Sequence, residues 1–487
     1  MENINRIPGP WTLRLTMLLP LALLAGCGGS SPPAPAPLSA SNLNLIFVAS
    51  EDLSYQAAGD INPRTANFTN QGLQRSLLMG TYLHEQVLGG GNVTGIYALE
   101  PMTHLQTANN YPDMVGLETI QQFAMLNQIS LTSGNNPLYT GNSFPIHASY
   151  ASGSLPAGVA PPVLPCAACQ GLDFDDQNGD NEALLGRVIQ ANAPGYYLFS
   201  APWETVSALL ASLNRLEGYN LKLPTVYTGP DYVYAISITP QGEASLVTYN
   251  GKLNPPSTYP ELPSPPVVSA ACTEQTPFHV QLTVGSGGAQ LPTGGNTNET
   301  VYFIRHAEAH PTSYWDDSNY VAAGQWRALD LANALRGKIQ PTQVVSIDPS
   351  IGIPLGLSDV SASAVGIPLT AEPYAIANNL PYTLAASVPV LAQNPPQLAT
   401  ATSNYFFTGQ TFSNQTILVA WDHEHLPAIV SALLASYQSS LTAPSWPAED
   451  YDTIWTVTID AQGNLTVDNS LCEGIDSVAL PATPPQF

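Results

Sequence analysis

Short apolar runs separated by helical patterns set the framework of this chain. Val301-Tyr302-Phe303-Ile304 is a run of strand-forming and apolar side chains that predicts a short buried strand. Arg305-His306-Ala307-Glu308 follows at once, placing a guanidinium and an imidazole at the carboxyl end of that strand. Ile417 to Trp421 is a second strand-like run, continued by Asp422-His423-Glu424-His425-Leu426-Pro427 and a helical segment from Ala428 to about Ser436. Ligands of open α/β sheets collect at the carboxyl ends of strands. A helix that begins there adds a dipole favouring anions.

The same pattern occurs twice. Leu45 to Ser50 matches Val301 to His306, and Gly72-Leu73-Gln74-Arg75-Ser76-Leu77 matches Gly324-Gln325-Trp326-Arg327-Ala328-Leu329, each opening a helix that ends near Leu88 or Leu335. Val206 to Ser212 is identical to Val430 to Ser436, and Ile236 to Gly242 parallels Val457 to Gly463. Four matches in one order, at offsets of 256, 252, 224 and 221, predict a duplicated α/β domain with loop insertions in the first copy. The expected boundaries are 43–270 for the first copy, 271–299 for a connector with the flexible Gly285 to Glu299 stretch, and 300–487 for the second copy. Ala49-Ser50 stands where the second copy has Arg305-His306, and Leu198 to Trp203 contains no His. The first copy is therefore read as scaffold or ligand-binding, without the chemical groups.

Charge narrows the partners. Twelve Lys+Arg against 36 Asp+Glu give a formal net charge of −24, which repels nucleic acid and anionic lipid heads, so neither is expected as a partner. An anion site in such a chain has to be local and arginine-based. The acidic run from Asp173 to Asp180 has its Gly at the wrong position for a calcium loop and reads as solvated. No metal or other cofactor is expected: His423 and His425 have metal-ligand spacing, but no H-E-x-x-H pattern accompanies them.

The N-terminus changes how the cysteines read. Arg6 and Arg14 precede the apolar run Leu15 to Leu24, too short for a permanent span, so residues 1–26 read as a signal peptide. Leu24-Ala25-Gly26-Cys27 resembles a bacterial lipobox, which implies lipidation at Cys27 and a membrane anchor. Gly28 after the cysteine resembles the outer-membrane-sorted class. Residues 27–42 form a Pro/Ala/Ser-rich linker. In an oxidising compartment Cys166, Cys169, Cys272 and Cys472 suggest two disulfides, with three connectivities; Cys166–Cys169 plus Cys272–Cys472 is preferred. The Cys-x-x-Cys lies in a Pro-rich loop, which argues against a redox motif.

Arg305-His306-Ala307-Glu308, together with Trp421, His423, Leu426 and Pro427 in order, resembles the histidine phosphatase (phosphoglycerate mutase-like) superfamily. That resemblance implies two phosphoglycerate mutase-like three-layer α/β/α domains, the first degenerate. It also implies a hydrolase acting on a phosphorylated small molecule outside the cytoplasm. His306 would form a phosphohistidine that water then hydrolyses. Arg305 and His423 would bind the phosphoryl oxygens, with Arg327 or His425 as further candidates, and Glu424 is the first choice for the proton donor ahead of Asp422, Glu308 and Glu372. One departure stands out: the family's second phosphate-binding Arg falls at Gly366, before Thr370-Ala371-Glu372-Pro373. A pocket short of that charge supports a competing expectation, a weak or inactive pseudophosphatase that binds a ligand or partner. The substrate and the oligomeric state have no signature in the sequence.

Overall fold

Residues 34–50, 67–99, 114–127, 180–263, 275–309, 319–349, 364–385 and 396–487, with short pieces between them, are described by the computed structural model. Cys27, Cys166, Cys169 and Asp173 to Gly179 lie outside the described residues. Among the described residues no helix is long and apolar enough to cross a membrane.

Leu43–Ser50 (β1), buried at every position, is followed by Asn70–Tyr82 (α1), Gly95–Ala98 (β2), Val115–Leu126 (α2) and Ile146–His147 (β3). Asp180–Ala191 (α3), Gly195–Pro202 (β4), Trp203–Glu217 (α4) and the hairpin of Tyr232–Ile238 (β5) and Ala244–Asn250 (β6) complete the first series. The chain continues through His279–Leu282 (β7), Glu299–Arg305 (β8), Ala322–Ala334 (α5), Gln343–Ser346 (β9), Gly366–Asn378 (α6) and Tyr382–Leu384 (β10). Pro396–Phe407 (α7), Thr416–Trp421 (β11), Leu426–Ser436 (α8), Thr453–Ile459 (β12) and Leu465–Cys472 (β13) end it.

The two sheets have one topology. The first runs β6-β5-β1-β4-β2-β3 and the second β7-β13-β12-β8-β11-β9-β10, so each strand of the first has a counterpart and β7 is an added edge. Pairing directions agree as well: β1 lies parallel to β4 and antiparallel to β5, as β8 does to β11 and β12. Chain order and the right-handed crossover rule place α1 and α2 on one face of the first sheet and α3 and α4 on the other. The packed helix pairs α1–α2 and α3–α4 agree with this, and α5–α6 and α7–α8 repeat it. Each half is thus a mixed α/β sandwich of three layers, as expected. Central strands carry the core: Val301, Phe303 and Ile304 of β8 are fully buried, each such side chain contributing about 1.5–3 kcal/mol.

Both halves fold within one compact unit, residues 35–487. They meet through equivalent faces, with Phe68, Leu73, Leu77 and Val115 of the first packed on Leu329 and Ile376 of the second. Gln122 and Gln325 bond across the contact at 2.6 Å, and Gln121 and Asn319 exchange bonds of 3.0 and 2.9 Å. The Cys272–Cys472 disulfide closes a loop of sequence separation 200. The connector expected over 271–299 is not a free linker: β7 pairs with β13, and buried Asn296 bonds Glu299 and the Phe406 carbonyl.

Candidate functional site

The site is built where β8 and β11, neighbours at the centre of the second sheet, run out at their carboxyl ends. Their register pairs Arg305 with Trp421, so the residues just beyond, His306 on one strand and Asp422-His423 on the other, emerge side by side. The His306 and His423 rings lie 5.4 Å apart, centroid to centroid, in an edge-to-face arrangement. Tyr451, just before β12, puts a third ring 5.9 Å from His306.

His306 is oriented by its own backbone. Its Nδ1 lies 2.8 Å from the Ala307 carbonyl oxygen. A carbonyl only accepts, which places the proton on Nδ1 and leaves Nε2 with a lone pair. Burial and the adjacent Arg305 charge lower the imidazole to about 4, so the ring is neutral at pH 7. The Ala307 N–H is in turn held at 2.8 Å by Thr370 Oγ1, which also donates to the Gly366 carbonyl. The first turn of α6 is thereby fixed beneath the His306 loop, and Gly366 stands there without a side chain.

His423 is neutral as well, lowered to about 3 first by burial and then by the Arg305 charge. Its Nδ1 is buried with no hydrogen-bond partner among the described residues. Asp422 Oδ1 accepts from the Glu424 backbone N–H at 2.7 Å and lies 2.9 Å from His425 Nδ1. Burial alone would raise this carboxyl, but the His425 bond and the neighbouring histidines hold it below the usual carboxylate range. Asp422 therefore stays ionised and is a poor proton donor. His425, expected to stand near the phosphate, is buried against Asp422 as the residue preceding α8.

Among the described residues, Arg305 is the cation beside this cluster. Its Nη1 donates to the carbonyls of Ala448 at 2.8 Å and Asp450 at 3.0 Å, and its guanidinium lies 3.7 Å from the centroid of the Tyr451 ring. Carbonyl bonds and the ring face hold the charge in a dry setting. Its Nε is buried without a partner among the described residues.

Two sequence-derived candidates stand elsewhere. Arg327 is fully buried; Nε and Nη2 grip the Glu308 carboxylate at 2.7–3.0 Å, and Nη1 is bonded to Glu473. Two opposing carboxylates saturate it, so neither Arg327 nor Glu308 is free to serve a phosphoryl group. Glu424, the first choice for the proton donor, is exposed where the chain turns into α8, while its neighbour Asp422 enters the cluster. Glu372 is buried within α6. Tyr451 was missed, because a single Tyr in an acidic loop before a strand carries no distinguishing signal.

His306, Asp422 and His423 also bring one ligand-type atom each within 4.8 Å of one another. This trio differs from the His423-x-His425 pair considered on spacing, since His425 is turned onto Asp422.

No protein-family model matches the chain, and no curated protein matches it. Among solved structures it is similar to the protein histidine phosphatase SixA complexed with tungstate, at 20% identity and TM-score 0.22, over 35% of this chain and 96% of that one. It is also similar to a SixA structure from Agrobacterium tumefaciens, at 16% identity and TM-score 0.20, over 35% and 96% of the two chains. A SixA structure from Nakamurella multipartitia matches at 16% identity and TM-score 0.20, over 39% and 94%.

Proposed function

We propose that the second half is a phosphomonoester hydrolase that works through a phosphohistidine on His306. The observation that carries this reading is the His306 imidazole, neutral, with Nδ1 tied to the Ala307 carbonyl and Nε2 left as the nucleophile. In the first step Nε2 bonds to phosphorus while the phosphorus–oxygen bond to the alcohol breaks, and the departing oxygen takes a proton. In the second, water attacks phosphorus, the nitrogen–phosphorus bond breaks, and inorganic phosphate leaves with His306 restored. In this reading His423, 5.4 Å away between ring centroids, and Arg305 would hold the phosphoryl oxygens.

Two further parts of the reading concern the whole chain. The matching strand orders and the Val206 to Ser212 repeat support descent from a duplicated domain. The N-terminal run ending at Cys27 supports an exported lipoprotein, anchored at the outer membrane and acting outside the cytoplasm.

A non-catalytic reading has its own support. Gly366 stands where the resemblance requires a second Arg, and the Arg305 Nη1 is committed to carbonyls. Such a site would bind a ligand without turning it over. Hydrolysis of a generic aryl phosphate from pH 4 to 8, beside His306→Ala, separates the two. Turnover that falls at least about 10³-fold in the variant supports the phosphohistidine reading; no turnover by either protein across a wide ester panel supports the binding one.

A further inference from the structure

We infer that His306, Asp422 and His423 form a binding site for one divalent transition-metal cation of the Zn²⁺ class, in competition with phosphate esters for His306 Nε2. Two imidazole nitrogens and a carboxylate oxygen are the donor set that zinc accepts, with a fourth position left for water or an anion. The three donor atoms already lie within 4.8 Å of one another. Tetrahedral coordination with bonds of about 2.0–2.1 Å sets donors about 3.3 Å apart. Closing that gap brings donor atoms up to about 1.5 Å nearer one another.

Each donor is prepared in a separate way. His306 has Nδ1 on the Ala307 carbonyl, which fixes the ring and leaves the lone pair on Nε2. Asp422 takes both its backbone and imidazole bonds on Oδ1, at 2.7 and 2.9 Å, leaving Oδ2 for a cation. His423 Nδ1 is buried without a partner among the described residues, an arrangement that costs free energy until a ligand or cation satisfies the group. His425 on Asp422 and the Ala307 carbonyl on His306 are outer partners of the type that orient metal ligands.

Electrostatics select the cation. A formal net charge of −24 draws cations to the chain and repels anions. Within the site, a carboxylate sits beside the imidazoles, and the nearest guanidinium has Nη1 turned to the carbonyls of Ala448 and Asp450. The Asp422 carboxylate offsets the Arg305 charge there, and a divalent ion bound in the trio sits on the nucleophile itself. Occupancy therefore blocks phosphohistidine formation. The metal site shares residues with the hydrolase reading but does not rest on it, because binding is measured without substrate; only the competition with phosphate esters rests on that reading.

The test uses the full chain in detergent, stripped with chelator and kept oxidised so that Cys272 and Cys472 stay joined. Equilibrium dialysis against Zn²⁺ with metal analysis, followed by chelator competition, gives stoichiometry and affinity. One ion per chain, bound at least about 100-fold more weakly by Asp422→Asn and His423→Ala and unchanged in His279→Ala, is the expected result. Co²⁺ loading of the unmodified chain, read by visible absorption for tetrahedral nitrogen/oxygen coordination, keeps the question open to refutation if a variant misfolds. Absence of stoichiometric binding, a binding ion insensitive to both variants, or no tetrahedral Co²⁺ spectrum overturns the inference. A chain that binds Zn²⁺ but hydrolyses nothing upholds it while the hydrolase reading fails.

Discussion

The two halves share a sheet order and differ at the carboxyl ends of the same two strands. In the first half, β1 ends in buried Ala49 and Ser50, and β4 runs straight into α4 at Trp203. In the second, β8 ends in Arg305, with His306 next along the chain. Ala49 pairs with Ala201 as Arg305 pairs with Trp421, yet Val206 follows Ala201 by five positions and its counterpart Val430 follows Trp421 by nine. The four additional residues are Asp422-His423-Glu424-His425. The chemistry-bearing groups of the second strand thus occupy four residues, between a strand and a helix that both halves possess, that the first half does not have. A fold can keep its core while a site is gained or lost, because the groups lie beyond the hydrogen-bonded register and the packed faces.

What both halves retain is equally instructive. Gly72 and Gly324 open α1 and α5 against a backbone carbonyl: a Cβ at Gly72 would come within 2.3 Å of the Asp60 oxygen, and one at Gly324 within 2.7 Å of the Glu308 oxygen. Those same carbonyls accept from the Thr69 and Val321 N–H groups at 2.7 and 2.8 Å. Three residues after each Gly stands an Arg clamped between two carboxylates, Arg75 by Asp60 and Asp231, Arg327 by Glu308 and Glu473. An arginine kept in the half that lacks both histidines belongs to the scaffold. Arg327→Met should therefore unfold the chain more readily, by about 3–5 kcal/mol, since it leaves two fully buried carboxylates without their cation. Arg75→Met should cost less, about 1–2 kcal/mol, since the Arg75 and Asp231 side chains keep 15% and 20% exposure. Urea midpoints of the two variants check this, and equal losses would remove the distinction in burial on which it depends.

Acid should act more strongly on the second half. His306 is held at about 4 and His423 at about 3 in the folded chain, against about 6.5 for a free imidazole. At these two histidines the unfolded chain binds more protons between these limits, so their contribution to stability falls as pH drops from about 6.5 towards 4, against the buried carboxyls of Glu299 and Glu473, raised to about 8, which act in the opposite sense. His306→Ala and His423→Ala should each flatten that limb in denaturant titrations, while Ser50→Ala in the first half should leave it unchanged. By the same protonation, hydrolysis should persist down to about pH 4 and decline below it as Nε2 gains a proton.

The smallest expected effect is an instructive null. Placing Arg and His at Ala49 and Ser50, in the His306→Ala background, should restore no hydrolysis, because the first half lacks the four-residue insertion and its cluster. Recovery of turnover would show that the Arg-His pair alone makes a site.

Much of this was legible in the sequence, and the limits follow from distance along the chain. Apolar runs marked β1, β8 and β11, and the repeated segments led to two sheets of like order, since those signals are local. Arg327 was misplaced among the phosphate ligands because its partner Glu473 lies 146 residues away and only folding brings it near. The same holds for Arg305, whose Nη1 reaches carbonyls some 140 residues on. Asp422 and Glu424 are adjacent and chemically alike. Only the turn into α8 decides which enters the cluster, and there the inner position went to Asp422. The 271–299 stretch read as linker from its Gly content, while β7 joins the sheet by backbone bonds that its side chains do not announce.

The most direct measurement is a rapid-quench labelling with a phosphate ester, followed by mapping of the acid-labile phosphate on the chain. The expected result is a phosphohistidine at His306, absent from His306→Ala and retained in Glu424→Gln. Turnover with no label on His306, or a label on another residue, would contradict the central claim that the His306 imidazole at the end of β8 is the nucleophile.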